Sequence, residues 1–572
     1  MRLLRVYIDG YRNLKNVTVD FDKDSLTTVV IGENGSGKSN LIEAIVEVFR
    51  AWDLGVPRDI RFKYCIEYSI TDCNVLIVSG DTLHNNSLFE RKNMDGRISF
   101  DAPFSFVAKS GSDEVEGRAE KISGSAIPDM IFGYYSGTGR KLEKLFDSHQ
   151  SRYYGIINKE RVETDYDAAR QARRLFYCRP VHGVFALLAY LAKPGEDSDV
   201  RTLLTEKLGI TGFHSALAHF KQPEWFNNTN WKKSQSRDAQ SPDRGRRTYD
   251  ELGKQATGIW GARGPAGACA RALQDAAFHP LTLAGKVVDD YRKKPRTEAQ
   301  LACFLRDKKA LKAFAANYES DQDMFAALEA ADISDLFRDM IVWVTRKNDD
   351  SGDISFSDLS DGERQLLMVL GLIRVSRGKE ALFLLDEPDT HLNPAWQLTY
   401  LELIKEWTEV ATYDNADKCQ IIMTTHNPLT IAALTKKEVR VMQKGPDDQI
   451  IVSEPYADPR GMGFTSTLTE IFGLPTTLDP ETQKQIDERN YLARIEERTK
   501  DNQLRLIELN DKLDRLGFLH ESRDPLYDDF LKAVQDYKYA DRPVMTPDQI
   551  ERRRLAMQSL IKSLSEDRGK AH

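Results

Sequence analysis

The stretch Gly32-Glu33-Asn34-Gly35-Ser36-Gly37-Lys38-Ser39 decides the fold. It follows without a break on Leu26-Thr27-Thr28-Val29-Val30-Ile31, an apolar, β-branched run of the kind that forms a strand buried on both faces. Beyond it Leu41, Ile42, Ile45, Val46 and Phe49 recur at helical spacing. The octapeptide therefore lies at a strand-to-helix turn and matches GxxxxGK[ST] in full, in the context that motif requires. Gly32, Gly35 and Gly37 let the backbone wrap tightly enough for successive N–H groups to point at one phosphate, and the positive end of the next helix adds to the attraction. The expected ligands are ATP and Mg²⁺. Lys38 reaches the β- and γ-phosphates, Ser39 ligates the metal, and Asn34, Ser36 and Asn40 complete the nucleotide-facing set.

Three further elements carry chemistry. Ala381–Leu385 is a second apolar strand that runs into Asp386-Glu387-Pro388. A carboxylate at the end of a buried strand can hold Mg²⁺ through water, and one beside it can polarise the attacking water, so Asp386 takes the first role and Glu387 the second. A third strand, Ile421-Ile422-Met423, leads into Thr424-Thr425-His426-Asn427-Pro428. His426 at a strand's carboxyl end sits where α/β sheets bind ligands, placed to hydrogen-bond a γ-phosphate. The fourth is Leu359-Ser360-Asp361-Gly362-Glu363, before an apolar helix. Ser360 with Glu363 reads equally as a plain capping box or as a capped helix end, opened by Gly362, whose N–H groups face a phosphate.

In the order phosphate loop, signature, Asp-Glu strand and His switch, these elements resemble the ABC-type ATPases. The resemblance implies an α/β, P-loop ATPase head with a mixed sheet, working as a head-to-head dimer or higher oligomer. Each signature then closes over the nucleotide of the other head, with Ser360 and Gly362 contacting ATP in trans. The Leu392-Asn393 pair departs from the Leu-Asp of transporter heads, and the family's Mg²⁺-sensing glutamine is not placed by the sequence. Some 320 residues separate Ser39 from Leu359, far more than in transporter heads. The opening Leu3–Leu14 segment also looks like the first strand and turn of SMC/RecF-type heads.

Composition bounds the rest. The chain has 572 residues, a net charge of −8 and 41% hydrophobic residues, enough for several packed units. The longest apolar run, Val184–Ala192, is too short to span a bilayer, and Arg5, Asp9 and Arg12 interrupt any signal peptide, so a cytoplasmic protein is expected, without membrane attachment. Six scattered cysteines without a CxxC pair read as reduced thiols. Four regions are expected. An N-terminal lobe spans 1–137, a mainly helical insertion 138–335, a C-terminal lobe 336–455, and a helical tail for oligomer or partner docking 456–572. Within the insertion, 227–247 carries six basic residues against two acidic, a solvated loop or a contact to nucleic acid. In the tail, Leu492, Ile495, Thr499, Asn502, Leu506, Leu509, Leu513 and Leu516 form a short heptad seam.

After Tyr456 there is no D-x-D pair of the kind a metal-dependent nuclease domain needs. Three stretches, IFGYYSGTGRKLEKLFDSHQ, TGIWGARGPAGACARAL and FTSTLTEIFGLPTT, resemble the restriction-system-associated or PtuA-like ATPases of bacterial anti-phage defence, including the Septu and retron-linked kinds. That resemblance implies a separate HNH-type nuclease gated by the ATPase, with DNA or retron nucleic acid as a further partner. Two other readings stand beside it: a RecF/SMC-like repair or recombination ATPase without a nuclease, and an ATP-bound scaffold with little turnover.

Overall fold

The computed structural model describes residues 1–71, 73–79, 103–109, 115–119, 126–137, 139–157, 174–193, 203–226, 253–288, 292, 296–347, 349–376, 379–411, 419–445, 449–474, 476–495 and 499–516. These fall into two compact units, Met1–Gly473 and the chain beyond it from Leu474.

A seven-stranded sheet organises the first unit. In chain order its strands are β1 (Thr27–Gly32), β2 (Met130–Tyr135), β3 (Leu175–Tyr177), β4 (Ala381–Asp386), β5 (Cys419–Thr424), β6 (Val439–Lys444) and β7 (Ile450–Ser453). In space they run β7-β6-β1-β5-β4-β2-β3, all parallel except the β6–β7 hairpin. The uninterrupted apolar runs have a direct cause, because this sheet is covered on both faces. Side chains alternate along a strand, so Val29, Ile31, Phe383, Leu385, Ile421 and Met423 enter one core, while Val30, Leu382, Leu384 and Ile422 enter the other. Helix α1 (Lys38–Leu54) lays Leu41, Ile42, Ile45, Val46 and Phe49 into the second core. That packing fixes the turn between β1 and α1.

Two antiparallel sheets flank this layer. One contains six strands, among them Arg2–Asp9, which pairs with Lys63–Ile70. The other contains five, in the order Leu281–Val287, Arg296–Leu305, Ile210–Lys221, Phe337–Arg346 and Asp349–Ser355. Three of these strands fall inside 138–335, so among the described residues of that interval its helices are joined by strands of this sheet. The strand Arg296–Leu305 is rich in Ala, Leu, Glu and Gln, which suggest helix, but Ala299, Leu301, Cys303 and Leu305 are buried at period two. Tertiary pairing overrides propensity there. The apolar run Val184–Ala192 lies in the helix Pro180–Ala192, which is buried along most of its length.

The first unit also runs past the expected lobe end at 455. Ile471 joins the main core, and the Arg460 N–H donates to the Leu434 carbonyl at 2.9 Å. In the second unit the heptad seam is folded on itself. Helices Pro480–Arg494 and Lys500–Arg515 pair antiparallel, as the Arg505–Glu488 and Lys512–Glu481 ion pairs require. Leu492 packs against Leu506 and Leu509 within this hairpin. The basic 227–247 segment and the tail beyond 516 lie outside the described residues. Among the described residues no helix is long and apolar enough to cross a membrane.

Candidate nucleotide site

The carboxyl ends of β1, β4 and β5 lie side by side, and the turn after β1 is the glycine-rich loop. Gly32 has φ +153°, and a Cβ there would stand 2.1 Å from the Met442 carbonyl oxygen, so the loop leaves the sheet by a path closed to any side chain. Gly37, at φ +97°, opens α1, and that helix has neither a side-chain cap nor an acidic residue in its first turn. Its first N–H groups are thus left for an anion. The Ser36 hydroxyl beneath the loop is buried with no hydrogen-bond partner. Lys38 folds back over the loop, its Nζ donating to the carbonyls of Gly32 at 2.8 Å and Glu33 at 3.1 Å. Burial pushes its pKa down, and the nearby charges of Glu387 and Asp386 oppose that shift.

A brace that the sequence did not disclose supports the loop from the turn after the strand Arg2–Asp9. Asn13 Nδ2 donates to the Gly35 carbonyl at 2.9 Å. Asn40 Nδ2 donates to Asn13 Oδ1 at 2.6 Å, and Arg12 Nη1 donates to Asn40 Oδ1 at 2.8 Å. The Asn40 side chain, expected to face the nucleotide, is therefore spent on positioning the loop.

Ser39 and Asp386 meet although 347 positions separate them. The Ser39 hydroxyl donates to Asp386 Oδ1 at 3.1 Å, and Thr424 Oγ1 donates to the same oxygen. Burial raises the Asp386 pKa, the two hydroxyl donors pull it down, and Glu387 and Glu43 push it up further. A buried carboxylate beside a hydroxyl is a hard oxygen pair, and it fits Mg²⁺, which takes one or two protein oxygens and completes its shell with water and phosphate. Glu387 follows in the left-handed region at φ +54°, its N–H donating to the Thr424 carbonyl at 3.1 Å. Non-glycine residues held there are strained, and they cluster at functional sites. His426 Nδ1 stands 3.3 Å from Glu387 Oε1. Lys38, Ser39, Asp386, Glu387 and His426 thus converge at one sheet edge.

Asp389 anchors the segment after Glu387. Its Oδ2 accepts from Thr425 Oγ1 at 2.7 Å and from Thr430 Oγ1, and burial raises its pKa against those two donors. Thr424, Thr425 and Thr430 carry this network, and their only sequence signal was the pair of hydroxyls closing an apolar strand. Thr430→Val leaves a buried carboxylate with one side-chain donor, so it should cost about 1–3 kcal/mol of stability at neutral pH. The deficit should shrink as pH falls through the raised Asp389 pKa, because the protonated acid has less need of donors. Urea unfolding of both proteins at several pH values checks this.

The signature segment stands apart from this convergence. Ser360 caps the helix Asp361–Val375 in a reciprocal box with Glu363, its N–H donating to Glu363 Oε2 at 2.7 Å. Gly362 is close against the next motif, and a Cβ there would lie 2.7 Å from the His391 carbonyl oxygen. Among the described residues no hydrogen bond joins Ser360 or Gly362 to the phosphate loop of the same chain. At the end of β2, beside Asp386, stand Tyr135 and Ser136. The Ser136 N–H donates to the Asp386 carbonyl at 3.2 Å, and no glutamine occupies this strand end.

Two family models match the chain: "AAA ATPase domain" over residues 1–162, and "AAA domain, putative AbiEii toxin, Type IV TA system" over 223–432. The first range contains the phosphate loop, and the second contains the signature, Asp386, Glu387 and His426. The chain is 29% identical over 168 residues to the Septu protein PtuA of Bacillus mycoides (strain KBAB4), a match covering 28% of this chain and 22% of the relative. It is 26% identical over 127 residues to "Retron Vc95 probable ATPase" of Vibrio cholerae serotype O1 biovar El Tor, covering 20% of this chain and 23% of that protein. The matches thus span less than a quarter of the length of either relative. Among solved structures, the Smc head domain bound to the C-terminal domain of ScpA from Pyrococcus furiosus is 13% identical, covering 79% of this chain and 96% of that one, with a TM-score of 0.27. Two different AAA ATPase family models thus match separate stretches around the P-loop sheet, and parts of the chain are similar to the Septu PtuA and retron ATPases.

Proposed function

We propose that this chain is the ATP-binding, ATP-hydrolysing subunit of an anti-phage defence system, and that its nucleotide state gates a separate HNH-type nuclease. The observation that carries the ATPase half is the meeting of Ser39 with Asp386 and of Glu387 with His426 at the end of one parallel sheet. Lys38 and the free N–H groups of α1 hold the β- and γ-phosphates. Ser39 and Asp386 hold Mg²⁺, which when bound neutralises phosphate charge and orients the γ-phosphate. Glu387 accepts the proton of the attacking water, and His426 donates to the γ-phosphate oxygen.

Ser360 and Gly362, engaged only within their own helix cap and with His391, complete the site of a second copy across a head-to-head dimer. ATP would then stabilise the joined heads and hydrolysis would release them, a two-state element able to restrain or free a bound nuclease. Similarity to Septu PtuA supports the defence setting. The test is affinity purification of the chain from its native host with Mg-ATP present. A stoichiometric HNH-type nuclease supports the gating reading. Recovery of the chain alone, or with DNA only, removes it in favour of a repair or recombination ATPase.

A further inference from the structure

Two carboxylates, Asp361 and Glu363, stand in the first turn of the signature helix Asp361–Val375. The head-to-head reading aims that turn at the triphosphate of a second copy. Acidic groups suit a helix N-terminus while it faces water. They oppose an approaching polyanion, because like charges brought face to face across an interface are costly. Each of the two carboxylates is matched by an arginine. Asp361 pairs with Arg364, three residues on in the same helix. Glu363 pairs with a residue from another element, the Arg346 Nη2 donating to its Oε1 at 3.3 Å.

Arg346 closes the strand Phe337–Arg346 of the five-stranded sheet, and the backbone around it is pinned from the interval 138–335. Its register partner is Ile210, and the Lys347 N–H donates to the Gly209 carbonyl at 2.9 Å. The strand Ile210–Lys221 therefore decides where the guanidinium stands. Glu363 divides its carboxylate between two tasks. Its Oε2 accepts from the Ser360 N–H at 2.7 Å and from the Ser360 hydroxyl at 2.9 Å, while Oε1 faces Arg346. The hydroxyl that would reach a γ-phosphate is thus tied to a carboxylate. A cation on the other oxygen lowers the charge that Oε2 can offer and eases that tie. The reciprocal box already caps the helix by itself, so Arg346 is not needed to start it.

We propose that Arg346 is a positioning residue for the nucleotide contact made in trans: it neutralises Glu363, so that the Ser360–Gly362 turn can meet the triphosphate of a second copy. This role rests on the head-to-head reading and adds to it a residue of the five-stranded sheet that does not itself touch nucleotide. The strand Ile210–Lys221 thereby gains a direct link to the ATP-facing turn.

The test is sedimentation velocity of the full chain with and without Mg-ATPγS, a slowly hydrolysed analogue. Four proteins are compared first: wild type, Arg346→Met, Glu363→Gln and the double variant. Methionine fills much of the arginine stem without its charge. Glutamine keeps the capping box, which takes Gln as well as Glu, and removes the carboxylate charge. Nucleotide-dependent association should weaken roughly tenfold or more in Arg346→Met, where the carboxylate faces the phosphates unopposed. It should hold or tighten in Glu363→Gln. In the double variant it should return to within about threefold of wild type, since the two changes share one interaction. Arg346→Lys keeps the cation for a contact that uses a single N–H, and should also stay within about threefold. Nucleotide bound by the dilute, unjoined chain, read by filter binding, should stay within about twofold throughout, because neither residue is bonded to the phosphate loop.

If wild type does not associate on adding Mg-ATPγS, the head-to-head reading fails and the role of Arg346 falls with it. If wild type associates and Arg346→Met does so equally, the head-to-head reading stands and the role of Arg346 is overturned. A loss in Arg346→Met that Glu363→Gln does not restore overturns it too, since that pattern marks a damaged fold and not an unbalanced charge.

Discussion

Glu387→Gln is expected to lower phosphate release by about 10²–10⁴-fold while ATP stays bound. Glutamine keeps the length and most of the shape of the side chain, and the backbone of residue 387 remains pinned to Thr424. What it loses is the ability to take a proton from water, the role proposed for the carboxylate. At 3.3 Å from His426 Nδ1 the glutamine amide can donate where the carboxylate stood and leave Nε2–H for the γ-phosphate, so that corner should keep its geometry. The expected signature is a chain that binds ATP, joins heads and does not turn over. Single-turnover phosphate release, with nucleotide occupancy read by filter binding, separates the two steps. Release undiminished in Glu387→Gln would remove Glu387 as the base and point to another proton acceptor at that strand end.

Much of this centre was legible because its motifs are local. An apolar strand, a glycine turn and an amphipathic helix are contiguous in 26–49, and the physics of each follows from a few neighbouring residues. The same holds for Ala381–Glu387 and for Ile421–His426. Contacts across distance were not legible. The sequence does not announce that Asn13 props Gly35, or that Thr425 and Thr430 hold Asp389, since polar side chains of this kind decorate any turn. Architecture was missed where two periods agree with one composition. The strand Arg296–Leu305 is built of helix-favouring residues, and its alternate burial exists only once Ile210–Lys221 lies beside it. The tail seam had the spacing of a coiled coil, which a helical hairpin satisfies equally well. The antiparallel pairing of Pro480–Arg494 with Lys500–Arg515 decides for the hairpin, because it brings Leu492 to Leu506 and Leu509 within one chain.

Lys38→Ala should weaken ATP binding by about 10²-fold, equivalent to about 3 kcal/mol. The cation is held near the phosphates by geometry that already exists without ligand. Its Nζ spans the carbonyls of Gly32 and Glu33, and Glu387 and Asp386 help keep it charged against burial. On binding, those carbonyl contacts exchange for charge-assisted bonds to phosphate oxygens, which are about twice as strong as neutral ones. Alanine removes the bonds and also leaves the negative charges of Asp386 and Glu387 facing the phosphates unopposed. Arginine should not rescue it, because a planar fork cannot take the place of a compact ammonium under the loop. Thermal unfolding with and without Mg-ATP gives the readout. At ligand near 100 times the dissociation constant, wild type should gain about 2.7 kcal/mol of stability, whereas at the same concentration a 10²-fold weaker site gains only about 0.4 kcal/mol. An ATP-dependent shift in Lys38→Ala equal to that of wild type would mean that the glycine-rich loop is not where the triphosphate sits. The whole assignment of Ser39, Asp386 and Glu387 would then fall with it, since each is placed relative to the phosphates that Lys38 holds.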